Sequence, residues 1–173
     1  MSKYENINDS FVQQHFDYIS ENNSMEILNI INNTIELIKD ENKFLELCLS
    51  NTTEDKISIL SSVLLFLGDI KDVISTDIDY EGLVHKYMIK CKEYIEKNLI
   101  FMSTSLYNGL ADFGLAIHSV NKSTGNYEKI LNTINNLIVE RVLYNLNQIN
   151  LDSKNIKMSD FDVMIGLSGV ANL

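Results

Sequence analysis

Apolar residues recur at helical spacing along nearly the whole chain, and the alternation that marks a strand is scarce. Ile27, Ile30, Ile31, Thr34, Ile35 and Ile38 fall at i, i+3, i+4 intervals and predict one apolar helix face. Asn23 with Glu26 has the form of a capping box, so this helix is expected to begin near Asn23. Before it, Phe11, His15, Phe16 and Ile19 could line one short helix in a weakly patterned stretch. A short segment with Phe44, Leu45, Leu47 and Cys48 follows. Ser50-Asn51-Thr52-Thr53 then breaks the pattern and can cap the next helix, with Glu54 and Asp55 in its first turn. That helix runs to about Leu67. It carries Ile57, Ile59, Leu60, Val63, Leu64, Leu65 and Phe66 on more than one face, so it belongs in the interior, between other helices.

Asp79 to Asn98 is amphipathic: Leu83, Tyr87, Cys91, Tyr94 and Ile95 lie on one side, Lys90, Lys92, Glu93 and Lys97 on the other. Gly109 to Val120 reads as a short helix of small and apolar residues, and Ser123-Thr124-Gly125-Asn126 as a turn. Tyr127 to about Gln148 is a long amphipathic helix carried by Ile130, Ile134, Leu137, Ile138 and Arg141. Asn150 to Ser159 reads as a loop, and a last helix starts near Gly166. Long amphipathic helices thus alternate with short apolar ones. Two concentric layers of helices are wound this way, and each pair needs a neighbouring pair to cover its apolar face. The expected fold is all-α.

Two segments resemble each other: SLYNGLADFGLAIH, from Ser105, and DFDVMIGLSGVANL, from Asp160. Aligning Gly109 with Gly166 pairs Leu110 with Leu167, Ala111 with Ser168 and Phe113 with Val170. Four of the seven glycines, Gly109, Gly114, Gly166 and Gly169, fall in these stretches. Glycine in a helix costs about 1 kcal/mol against alanine. Its use here points to a tight turn or a close approach of backbones.

Composition narrows the function classes. The 173 residues fit one domain, taken as 1–173, or part of a larger one. There is no proline, so no ring forces a helix to break. The net charge is -10 and Arg141 is the only arginine, which argues against nucleic acid as a partner. The longest apolar run, Ile57 to Leu67, is interrupted by Ser58, Ser61 and Ser62 and is too short for a membrane span. The polar start, MSKYENINDS, has no signal-peptide core, so a cytoplasmic location is expected. Cys48 and Cys91 lie in helical patterns and read as buried, reduced thiols. Cys91 and His85 do not share a helix face, which leaves no zinc pair there. No phosphate loop or nucleophile elbow occurs. Tyr80, Tyr87 and Tyr94 read as packing or rim residues rather than a binding ladder.

SLYNGLADFGLAIHSVNKSTGNY resembles the repeat of lanthionine synthetase C proteins, the lantibiotic cyclases. Their repeats open with a serine-leucine pair, then Gly-Leu-Ala-Gly. FDVMIGLSGV is similar to a further repeat of that family, aromatic-Asp-aliphatic-aliphatic-x-Gly-Leu-Ser-Gly-Ile. The resemblance extends in layout from Ser105 to Leu173. Asp112 departs from it, standing where the family has glycine, and the helix with SILSSVLLFL matches the family's earlier inner helix only loosely.

This resemblance implies a partial α/α toroid, an incomplete double ring of inner and outer helices, as the N-terminal portion of the family's domain. It implies a parent reaction in which zinc-activated cysteine thiols add to dehydrated serine or threonine in a ribosomal peptide. The family's zinc is held by cysteines in Trp-Cys-x-Gly and Cys-His-Gly stretches and by a histidine. This sequence has no tryptophan and no Cys-His pair. It is therefore expected to hold no zinc or other cofactor, to be truncated relative to the family, and to be inactive alone. By resemblance Asp162 is the candidate catalytic acid or base near the zinc; by pattern alone it caps or precedes the last helix. His118, Gly109 and Gly166 are candidate lining residues of a central cavity, although a lone histidine such as His118 also reads as a helix-end or satisfied core group.

The implied partners are a precursor peptide and a dehydratase or transporter, in a modification complex peripheral to the membrane. Two other readings stay open: a non-catalytic helical scaffold, and a plain helical-repeat protein whose glycines serve packing alone. An inner-helix face without its neighbours would also be bare, so self-association is expected.

Overall fold

Every described element is helical. The computed structural model describes residues 9–51, 56–74 and 78–148. It divides into two compact units, Met1–Ile38 and Lys39–Leu173. The first contains α1, Asp9–Ile38. This corrects the expected start at Asn23: the helix runs straight through that residue. Asp9–Ile38 contains neither glycine nor proline, so nothing interrupts the ladder there, and the capping-box residues Asn23 and Glu26 lie on an exposed surface inside it. Ile27 and Ile30 of the predicted face are exposed as well.

The second unit begins with α2, Glu41–Asn51. Asp40 caps it, its carboxylate accepting from the Lys43 N–H at 3.1 Å. Next is α3, Lys56–Ile70, buried around its circumference by Ile57, Ile59, Leu60, Val63, Leu64, Leu67 and Ile70. Each such side chain contributes roughly 1.5–3 kcal/mol of burial. A 3-10 turn, Lys71–Val73, ends it. Next, α4 spans Tyr80–Asn98, with Asp79 accepting from the Gly82 N–H at 2.9 Å at its start. Of the tyrosines, Tyr80 and Tyr87 are buried and Tyr94 half-buried, so they pack. Then α5 spans Leu110–Thr124, one turn longer than expected, because the left-handed residue that stops it is Gly125 (φ 74°). The last described helix is α6, Glu128–Gln148. The expected loop after Asn150 and the helix at Gly166 lie outside the described residues.

The helices α3 and α5 lie side by side and run parallel. At their C-terminal ends Ser119 donates to Asp69 at 3.3 Å and the Lys71 amino group donates to the Ser123 carbonyl. Near their N-terminal ends Ser61 faces Asp112. The flanking helices return the other way. Tyr80, at the start of α4, donates its hydroxyl to the Leu67 carbonyl at 2.8 Å and meets Ser123 Oγ at 3.0 Å. Arg141, late in α6, donates to the carbonyls of Leu99 and Met102 beyond the end of α4. Inner helices α3 and α5 thus alternate with outer helices α4 and α6, the layering expected of an α/α toroid. The outer pair does not close over α5. A groove of about 340 Å³ remains between α4 and α6, floored by Phe113.

Candidate functional site at the start of the inner helix

The loop before α5 folds back on itself. Ser103 and Ser105 share a hydroxyl hydrogen bond at 2.8 Å, and the Ser105 hydroxyl also donates to the Tyr107 carbonyl. Asn108 takes a left-handed conformation (φ 56°). Gly109 is buried and extended, with φ −125°. Its need for glycine is spatial: a Cβ there would lie 2.5 Å from the Ser105 carbonyl oxygen and 2.6 Å from the Ser105 nitrogen. The loop carbonyls then serve the first turn of α5. Leu110 N–H donates to Ser103 at 2.9 Å and Asp112 N–H to Ser105 at 3.4 Å. These are the donors that an uncapped helix start leaves open. At Gly114, by contrast, a Cβ would meet Ile134 and Ile138 only at ordinary contact distances, 3.5 and 3.6 Å.

Three helices meet around Asp112. Its carboxyl is pushed up to about 6 by burial, and the Ser61 hydroxyl and the Asn108 backbone pull it part of the way back. Ser61 approaches without completing a hydrogen bond: its Oγ, like Asn108 Oδ1, is buried with no hydrogen-bonding partner among the described residues. Cys91, on α4, is fully buried. Burial and then the nearby Asp112 charge push its thiol well above the usual range. A thiol held protonated in this way is a poor nucleophile and a poor metal ligand.

That chemistry does not fit zinc. A catalytic zinc site needs three convergent protein ligands, with thiols deprotonated. No three His, Cys, Asp or Glu side chains converge in this manner among the described residues. His118 is exposed, on the α5 stripe that also holds Leu115 and Lys122. Gly109 lies nine positions earlier, roughly 13 Å along the axis. Asp162 and Gly166 lie outside the described residues.

The Asp112 cluster was only half visible in the sequence. An aspartate where glycine is expected, in an otherwise apolar inner helix, was the available signal. Which residues of α3 and α4 would face it depends on packing. Arg141 was visible as the only arginine, but not as the side chain that holds the end of α4 to α6. At the opposite end of the inner pair is a polar pocket of about 330 Å³. Asp69, Asp72, Lys71 and Lys122 line it, and Lys71 also lies over the Tyr80 ring at 5.9 Å. No helix among the described residues is long and apolar enough to cross a membrane.

Comparison with known families gives a match. The model of the family described as lanthionine synthetase C-like protein matches residues 58–173, more than half of the chain. Comparison with curated proteins gives no match.

Proposed function

The chain belongs to the lanthionine synthetase C-like family, and on that premise we propose that it works in thioether ring formation on ribosomally made peptides. The parent reaction adds a cysteine thiol across the double bond of a dehydrated serine or threonine, with zinc activating the thiol. The described residues of this chain do not assemble that metal's ligands. The observation that carries the reading is the family match running through the glycine-opened helix α5 and its inner neighbour α3. Asp162 is the proposed proton-transfer residue, by resemblance alone. The proposed partners are a precursor peptide and a dehydratase or transporter, with the lantibiotic pathway as the setting.

The 173-residue chain by itself is proposed to close no rings. The test is incubation of the purified chain with zinc and a dehydrated precursor peptide, read by alkylation of free thiols and mass spectrometry. Full alkylation of the peptide's cysteines is expected, and ring formation would overturn the proposed inactivity. Saturable binding of the same peptide, read by fluorescence anisotropy, is expected; its absence would remove the peptide role. A scaffold role is the second reading. It is favoured by the exposed apolar stripe Val139, Leu143 and Leu146 on α6. A pull-down of the dehydratase by the full chain, lost when Leu143 becomes glutamate, would distinguish it.

A further inference from the structure

The groove between α4 and α6 has the make-up of a small-ligand site. Its walls are hydrocarbon: Ile95 and Leu99 from α4 and its following turn, and Ile130, Ile134 and Leu137 from α6. Phe113, itself only 1% exposed, forms the floor. At about 340 Å³ it lies at the small end of pockets that enclose organic molecules. A docked peptide helix would need anchor pockets repeated along the groove at i, i+3, i+4 and i+7, and this volume accommodates about one such anchor.

The rim supplies the polarity. Lys92 and Glu96 pair with each other at 3.7 Å across one turn of α4. The Thr133 hydroxyl is committed to the Lys129 carbonyl at 2.9 Å. The Lys129 amino group has no partner among the described side chains and stands exposed at the mouth. Among the described residues the groove therefore offers an apolar body and, at Lys129, one cation without an ion-pair partner.

We propose that the groove between α4 and α6 binds a small apolar monoanion, an alkyl or aryl carboxylate, with its hydrocarbon against Phe113 and its charge at Lys129. Burial of the hydrocarbon supplies the affinity, and the lysine sets the orientation and the preference for an anion over a neutral analogue. This assignment is independent of the role in peptide cyclisation.

The probes are decanoate and decanol, titrated into the full chain by calorimetry. Decanoate is expected to bind one to one and more tightly than decanol by about threefold, the size of one exposed ion pair. Lys129→Glu is expected to remove that preference while leaving decanol binding unchanged. Ile130→Trp, which fills the groove from its half-buried rim, is expected to abolish both. Thermal unfolding of each variant separates lost binding from lost folding. If Ile130→Trp does not fold, the decanoate-to-decanol ratio in the native chain and in Lys129→Glu still decides the matter. Failure of decanoate to bind at millimolar concentration, or an unchanged preference in Lys129→Glu, would overturn the proposal.

Discussion

Gly68 of α3 and Ser119 of α5 approach so closely that a Cβ on Gly68 would fall 2.1 Å from Ser119 Oγ. It would also lie 2.8 Å from the Ser119 backbone carbon. The contact lies near the C-terminal end of the inner pair, and the serine is already engaged with Asp69.

Gly68→Ala is therefore expected to destabilise the protein, despite the better helix propensity of alanine. The propensity gain is about 1 kcal/mol, and overpacking against a backbone atom costs about 1–3 kcal/mol. Urea unfolding measures the difference. Ser119→Ala removes only the Oγ contact, so the double variant should recover part of the loss. A fully stable single variant would mean that the two helices can move apart freely.

The pH profile of stability should carry the mark of Asp112. Its folded pKa lies above the ordinary value of 3.8, at about 6. Between these values the folded state binds more protons than the unfolded state, so stability is highest at the acid side and falls as pH rises through this window. Above it the loss is complete and levels off. Asp112→Asn cannot ionise, so its stability relative to the native protein is expected to increase from pH 4 to pH 7. Melting temperatures measured across that range provide the check, and a constant difference would show that the carboxyl is not desolvated.

Arg141→Lys is expected to cost about 1.5–3 kcal/mol, the range for hydrogen bonds to a charged group. A lysine keeps the charge but not the planar fork that serves Leu99 and Met102 together. Hydrogen exchange should speed up in the segment from Leu99 to Gly109 before the rest of the chain is affected. Uniform acceleration would assign Arg141 no special role at this junction.

The two cysteines should differ in reactivity. In Cys48→Ala the remaining thiol, Cys91, is fully buried and held protonated. It is expected to resist an aromatic disulfide reagent until urea unfolds the chain. Cys48, half-buried, should react first in the native protein. Rapid labelling of Cys91 under native conditions would show that the core between α4 and α5 opens readily.

The surface of α6 should promote association. Val139, Leu143 and Leu146 lie at i, i+4, i+7 along α6 and are about half exposed. The molar mass from light scattering is expected to rise with protein concentration, and Leu143→Glu to suppress the rise. A concentration-independent monomer would mean that the stripe is covered or too small to matter.

The layout of helices was legible because it depends on periodicity, which is local. Helices α4 and α6 begin within a residue of the predicted positions, at Tyr80 and Glu128. Gly109 was legible for a similar reason, since a glycine opening an apolar helix implies a crowded turn, and the turn is crowded. The start at Asn23 was not, because a capping signal can lie inside a helix when no residue breaks the ladder. His118 was ambiguous because the apolar pattern of α5 is nearly continuous, and only packing reveals that Leu115, His118 and Lys122 form its outward stripe. The cluster of Ser61, Cys91 and Asp112 was hidden because it joins three helices distant in sequence.

The parallel course of α3 and α5 has an electrical consequence. Their peptide dipoles add instead of cancelling, each equivalent to about half a positive charge at the amino end and half a negative charge at the carboxyl end. The inner pair is thus polarised along its length. Lys71, seated on the Ser123 carbonyl, neutralises the negative pole. The positive pole lies beside Asp112, where ionising that one side chain would change the field along the axis of the pair.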